Sequence, residues 1–174
     1  FSIHHEVWAI QNFALKALTS TDGWEITGAQ AEGIDPVAGL RLKATGDAVS
    51  ITTPAFRCGT IVAPFARLEW AARGLSPESQ PKIQWLLEGE TEWKPERHAS
   101  FPPLHDADGL QYANVPLYRQ PGYAGILTRY RITYDHAAGA QIDLKSIITA
   151  VDSRHPITNS LYLRGCADYF AWTR

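Results

Sequence analysis

The run Gly125-Ile-Leu-Thr-Arg-Tyr-Arg-Ile-Thr-Tyr-Asp135, followed across a glycine-containing turn by Gln141-Ile-Asp-Leu-Lys-Ser-Ile-Ile-Thr-Ala-Val151, decides how this chain folds. In its first half Ile126, Thr128, Tyr130, Ile132 and Tyr134 alternate with Leu127, Arg129, Arg131 and Thr133. A two-residue period predicts a strand with one apolar face and one face carrying two guanidiniums. Asp135, His136, Ala137, Ala138 and Gly139 have the length and glycine content that join antiparallel strands, so the whole stretch is predicted to be a long hairpin. In the second strand Ile142, Leu144 and Ile148 share a parity that Ile147 breaks. Either a bulge intervenes near Ser146 or both faces are covered there. No catalytic signature lies within it.

Outward from this stretch the same rhythm recurs. Residues 23–28, 39–44 and 48–53 are strand-like, the second alternating apolar with basic before the Thr45-Gly46-Asp47 turn and the third stopped by Pro54. Over 67–73, Leu68, Trp70 and Ala72 are expected inside and Arg67, Glu69 and Arg73 outside. Over 82–88, Ile83, Trp85 and Leu87 share a face, and Trp70 and Trp85 are both read as core. Residues 89–95 form a charged turn containing Trp93, 97–101 a further short strand, 110–117 a partly alternating one with a parity shift at Asn114, and 118–125 a loop. The N-terminal stretch 2–18 has Ile3, Val7, Ile10, Ala14 and Leu18 near helical spacing, with a short strand at 1–3 as the other reading. Eight or more closely spaced strands predict an all-β fold, an antiparallel β-sandwich of jelly-roll kind.

Composition bounds what such a fold can do. At 174 residues one domain is expected, burying roughly 70% of its unfolded surface without staples. A net charge of -2 with no basic run gives no footprint for nucleic acid, and the absence of a long apolar run predicts no membrane span. Cys58 and Cys166 have neither metal-ligand spacing nor disulfide density, so two buried thiols are expected rather than a bridge. The chain has no Met, which suggests a processed product or a piece of something longer.

The succession at 50–54 (Ser-Ile-Thr-Thr-Pro), 67–74 (Arg-Leu-Glu-Trp-Ala-Ala-Arg-Gly), 83–93, 100–104 (Ser-Phe-Pro-Pro-Leu), 127–132 and 142–147 resembles the galactose-binding-like β-sandwich, the jelly roll of many carbohydrate-binding modules. The resemblance covers about residues 20–152 and is one of pattern and order. The tail 151–174 is similar to the entry into the (α/α)6 barrel of six-hairpin glycosidases. There Thr158 or Asn159 can cap a short C-terminal helix, with Leu161, Gly165, Tyr169 and Trp172 on one face and Tyr162, Cys166 and Phe170 beside them. Such a stripe either packs back on the sandwich or belongs against a catalytic domain, and the second is preferred. The expected division is a β-sandwich at 1–152 and a linker with helix at 153–174. The location is left open, with a secreted or periplasmic one favoured.

Catalysis by the chain itself is not indicated. Glu69, Glu88, Glu90, Glu92 and Asp135 are available, but a glycosidase needs two carboxyls roughly 5–10 Å apart across a bond, and Glu88, Glu90 and Glu92 read as a solvated turn. His4 and His5 are adjacent and point apart, so they cannot chelate from one face. His98, His105 and His136 are scattered among loops with no nucleophile in an elbow setting. Residues 105–109, His-Asp-Ala-Asp-Gly, offer oxygens of the kind a structural calcium takes, but lack the acidic residues that complete a loop site, so a plain loop is expected ahead of calcium. The resembled fold often carries one such ion.

Sugar binding asks for less: an exposed ring for the CH face and a few polar groups for the hydroxyls. The aromatics least expected in the core are Trp93, Tyr112, Tyr118 and Tyr123. Arg129 and Arg131 project from one face of the central strand, which is expected to hold Glu69 and Gln84 as well. These residues form either a cleft suited to hydroxyl-rich or acidic sugars or a set of cross-strand ion pairs without a ligand. Two functions follow as expectations: a non-catalytic carbohydrate-binding module of a glycoside hydrolase, or a structural sandwich supporting an (α/α)6 catalytic domain.

Overall fold

In the computed structural model residues 9–12, 23–35, 37–102 and 109–150 are described, and they form two antiparallel sheets. In chain order the strands are β1 (Ala9–Asn12), β2 (Glu25–Thr27), β3 (Ala29–Asp35), β4 (Gly39–Ala44), β5 (Val49–Thr52), β6 (Cys58–Gly59), β7 (Phe65–Arg73), β8 (Lys82–Leu87), β9 (His98–Ser100), β10 (Gln111–Pro116), β11 (Ile126–Tyr134) and β12 (Gln141–Ala150). Sheet I runs β10-β7-β12-β4-β3, with β1 beside the far half of β12. Sheet II runs β2-β5-β11-β8-β9, with β6 beside the near end of β11. The all-β sandwich expected from the alternation is what forms. Residues 9–12 correct the helical reading of the N-terminal stretch, because they pair with β12 as a strand. The tail from 151, with its helix, Cys166 and the division at 152, lies outside the described residues, as do 103–108 of the calcium-like run.

The expected hairpin does not form. β11 is central in sheet II, between β8 and the β5/β6 pair, whereas β12 is central in sheet I, between β7 and the β4/β1 pair. Their connection is an arch that crosses the roughly 10 Å between stacked sheets. It is held at both sides: the Ala137 N–H donates to Asp47 O at 2.9 Å, the Ala44 N–H to Ala140 O at 2.9 Å and the Ser76 N–H to His136 O at 3.4 Å. The physical reason is burial. An arch sets Tyr130, Ile132 and Tyr134 against Ile142 and Leu144 across the interior, whereas a hairpin would leave both sets needing a second layer.

Of the two readings of β12, the bulge is the one present. The register on β7 shifts between Leu144 and Ser146, so Leu144 and Ile147 are both fully buried. A second bulge, between Leu127 and Arg129 on β8, turns Leu127 inward on the same side as Tyr130 and leaves Ile126 and Thr128 half-buried. The interior is stitched by aromatic pairs. Trp70 meets Tyr134 at 5.1 Å and Phe101 at 5.7 Å, Trp85 meets Tyr123 at 5.3 Å, and Phe56 meets Tyr130 at 5.4 Å between ring centroids. Cys58 is a buried free thiol whose pKa burial raises. Among the described residues no helix is long and apolar enough to cross a membrane.

Candidate functional site

The outer face of sheet II is polar from edge to edge. Register places Glu25 opposite Thr52, Thr52 opposite Arg131, Arg131 opposite Gln84 and Gln84 opposite His98, one row across five strands. Two residues along, Thr27, Ser50, Thr133, Lys82 and Ser100 form a second row in the same way. Alternate residues of a strand share a face, so the same period that buries Ile51, Ile83 and Ile132 beneath turns these polar groups to the outer face, where Thr52 alone of the first row is covered.

Arg131 is the centre of the first row. Its guanidinium carbon lies 4.0 Å from the centroid of the Trp93 ring, and its Nε donates to Thr52 Oγ1 at 3.3 Å. Burial draws its pKa down against the opposing pull of the Glu25 carboxylate, yet an arginine stays charged. Arg129 NH1 donates to Glu25 Oε1 at 2.7 Å, an exposed pair that contributes little to stability but fixes where both side chains stand.

Trp93 is half-buried in the loop between β8 and β9, and Glu90 holds that loop. The Glu90 carboxylate accepts the Leu87 N–H at 3.1 Å, Lys94 Nζ at 2.9 Å and Arg97 NH1. Desolvation works to raise its pKa, but these donors win and hold it at about 2. A folded-state pKa depressed from 4.5 to about 2 gives stabilisation that is complete above the unfolded value and lost as pH falls through the folded one. Between pH 4.5 and about 2 the loop is therefore expected to loosen. In Glu90→Gln the fluorescence of this loop and the denaturant midpoint should be lower at neutral pH and change less on acidification than in the parent. An equal acid response in both proteins would refute this role. Glu88, by contrast, pairs with Arg57 at 2.6 Å on the surface.

Trp93, Arg129, Arg131 and Gln84 thus come together on one face. Glu69 does not join them: it lies on β7 in sheet I, 3.7 Å from Lys145 Nζ, and its Cα partner on β10 is Tyr112. Tyr112, 45% exposed, is therefore on the opposite face of the molecule. Tyr118 and Tyr123 correct the surface reading of their loop, since both are buried. Tyr118 packs edge-on against Phe65 at 5.4 Å, and the Tyr123 hydroxyl donates to Ala63 O beneath the sandwich end. The sequence reading missed Glu25, Thr52 and His98, whose only signal was parity within strands whose neighbours were not yet known. Among the described residues no group of three or more His, Cys, Asp or Glu is placed to hold a metal.

No family model and no curated protein matches the sequence. Solved structures match by shape. A carbohydrate-binding module of family 29 superposes with a TM-score of 0.50 at 15% identity, over 86% of this chain and 99% of that one. A point variant of a family 29 module gives a TM-score of 0.49 at 15% identity, over 81% of this chain and 92% of that one. The glycoside hydrolase domain of Endo-D from Streptococcus pneumoniae R6 gives 0.48 at 15% identity, over 76% of this chain but 22% of that one. At such identities the likeness is one of fold.

Proposed function

We propose that this chain is a non-catalytic carbohydrate-binding module of a glycoside hydrolase, taking glycan weakly along the outer face of sheet II. The observation that carries the reading is the row Glu25, Arg131, Gln84 and His98 on one face, with Thr52 buried among them as a support for Arg131. Successive strands lie about 4.8 Å apart, a spacing close to the length of one sugar unit along an extended glycan, and the row offers both acceptors and donors. The likeness of fold to a family 29 carbohydrate-binding module supports the same reading. Trp93 adds an apolar edge: covering on the order of 80 Å² of ring contributes about 2 kcal/mol. With a few hydrogen bonds of about 0.5–1.5 kcal/mol each, the dissociation constant falls in roughly the millimolar to high micromolar range.

Retention of the purified chain in gels containing a panel of polysaccharides tests this. Saturable retention of the parent is expected on at least one glycan, weakened about tenfold in Arg131→Ala, where a hydrogen bond from a charged group is lost, and by less in Gln84→Ala, where the lost bond is a neutral one, and unchanged in Tyr112→Ala. Silence on every glycan would favour the structural sandwich that supports a catalytic domain. Turnover of an aryl glycoside by the chain alone would show a hydrolase and overturn a purely binding role.

A further inference from the structure

On the other side of the molecule the outer face of sheet I holds a recess of about 190 Å³ lined by Arg41, Arg73, Gln141, Asp143, Val37 and Leu110, among others. Register explains its shape. Asp143 of β12 stands opposite Arg41 of β4, and Gln141 of β12 stands opposite Arg73 of β7. The two arginines therefore rise from the strands on either side of β12, roughly 10 Å apart across the sheet. Val37, 71% exposed, and Leu110 form an apolar wall.

Among the described residues one guanidinium of this recess has no ion-pair partner. Arg41 Nε lies 3.5 Å from Asp143 Oδ1, an ion pair without hydrogen-bond geometry, and that Nε is buried without a hydrogen-bond partner. Asp143 also receives Gln141 Nε2 at 3.5 Å. Arg73 lines the recess and makes no ion pair with a carboxylate among the described residues. Arg41 thus faces two carboxylates, Asp143 across the strand and Asp35 at the end of β3, and Arg73 is the guanidinium left for a ligand beside the apolar wall. The ligand complementary to this combination is small, carries a carboxylate for the guanidinium fork, has a CH surface for Val37 and Leu110, and has hydroxyls for Asp143 and Gln141. A volume of about 190 Å³ lies below the roughly 300–1,000 Å³ of sites for drug-sized molecules, the scale of one sugar ring.

We propose that this recess is a second binding site, separate from the face of sheet II, and that it takes the uronic acid unit of an acidic glycan. The proposal does not depend on glycan binding at sheet II. Titration of the chain with glucuronate, followed by amide NMR, tests it against glucose and acetate as probes. Saturable shifts are expected at residues 37–41, 71–73, 110 and 141–143, in the millimolar range, with neither glucose nor acetate matching them. Arg73→Gln and Val37→Asp, both changes at exposed side chains, should weaken the response about tenfold or more, while Arg131→Ala leaves it intact. Shifts that acetate reproduces at equal concentration would mean an anion contact alone, and shifts that survive both recess variants would place glucuronate elsewhere. Either result, or no response to glucuronate, overturns the proposal.

Discussion

Trp70→Ala is expected to lose about 3–5 kcal/mol of folding stability, the range for emptying a fully buried aromatic site. Trp70 has no exposed surface, and from β7 in sheet I it reaches Tyr134 of β11 in sheet II at 5.1 Å and Phe101 at 5.7 Å. Its removal takes away transfer energy, leaves a cavity between sheets that cannot close without moving both, and breaks two ring contacts worth about 0.5–1.5 kcal/mol each within that total. Against a domain stability of roughly 5–15 kcal/mol, that is a large share. The indole Nε1 is buried with no hydrogen-bond partner, so Trp70→Phe gives up volume but no hydrogen bond and should be much milder. Urea denaturation of the parent and both variants measures the difference. A loss below about 1.5 kcal/mol in Trp70→Ala would mean the site collapses easily and the inter-sheet cluster is not a rigid one.

Gly28→Ala is expected to be comparably damaging for a different reason. Gly28 has φ +73°, and a Cβ there would stand 1.8 Å from Ala48 O and 2.9 Å from Ala48 C. Its carbonyl accepts the Thr45 N–H at 2.9 Å and the Gly46 N–H at 3.2 Å. The junction of β2 with β3 is thereby clamped to the turn between β4 and β5, and neither strand end can yield. The left-handed conformation alone costs an alanine about 1–2 kcal/mol. Displacing backbone adds to it, so a total above about 3 kcal/mol is expected, in the tail of single-substitution effects. Gly139→Ala is the control: φ is +75°, yet nothing lies within 4 Å of the added methyl, so only the conformational part of about 1–2 kcal/mol should appear. Equal losses at the two positions would show that contact with Ala48 does not matter.

Most strands were legible because one face of each is apolar. β4 occupies the 39–44 span that its Leu40, Leu42 and Ala44 alternation predicts, and all three are buried. β3 was not legible: its residues are mostly exposed at a sheet edge, and Gly33 accompanies a register shift on β4, so no periodicity marks it. Pairing with β4 makes it a strand. The mistaken hairpin has a related cause. Alternation tells which face of β11 and β12 is buried, but it does not say whether two buried faces belong to one sheet or to two that oppose each other.

The site shows the same division between what a residue is and where its strand goes. Arg131 and Gln84 were grouped correctly because adjacent strands share a parity, whereas Glu69 satisfied the same parity in the other sheet. Trp93 could be placed in a turn from sequence, but its contact with Arg131 depends on the fold of a loop that Glu90 ties down through three donors. Tyr118 and Tyr123 misled because a loop position was equated with exposure. Their loop tucks under the end of the sandwich, where the hydroxyl of Tyr123 finds a backbone carbonyl.

β11 and β12 are the last two strands of the described chain and also the centres of their sheets. During synthesis β4 and β7 stay unjoined until β12 follows them, β4 needing residues 141–144 and β7 needing 141–150, and β5 and β8 wait for β11 up to residue 134. Each sheet therefore closes late, over long chain separations, which places this domain among slow folders whose early strands are exposed to wrong partners while the ribosome is still at work.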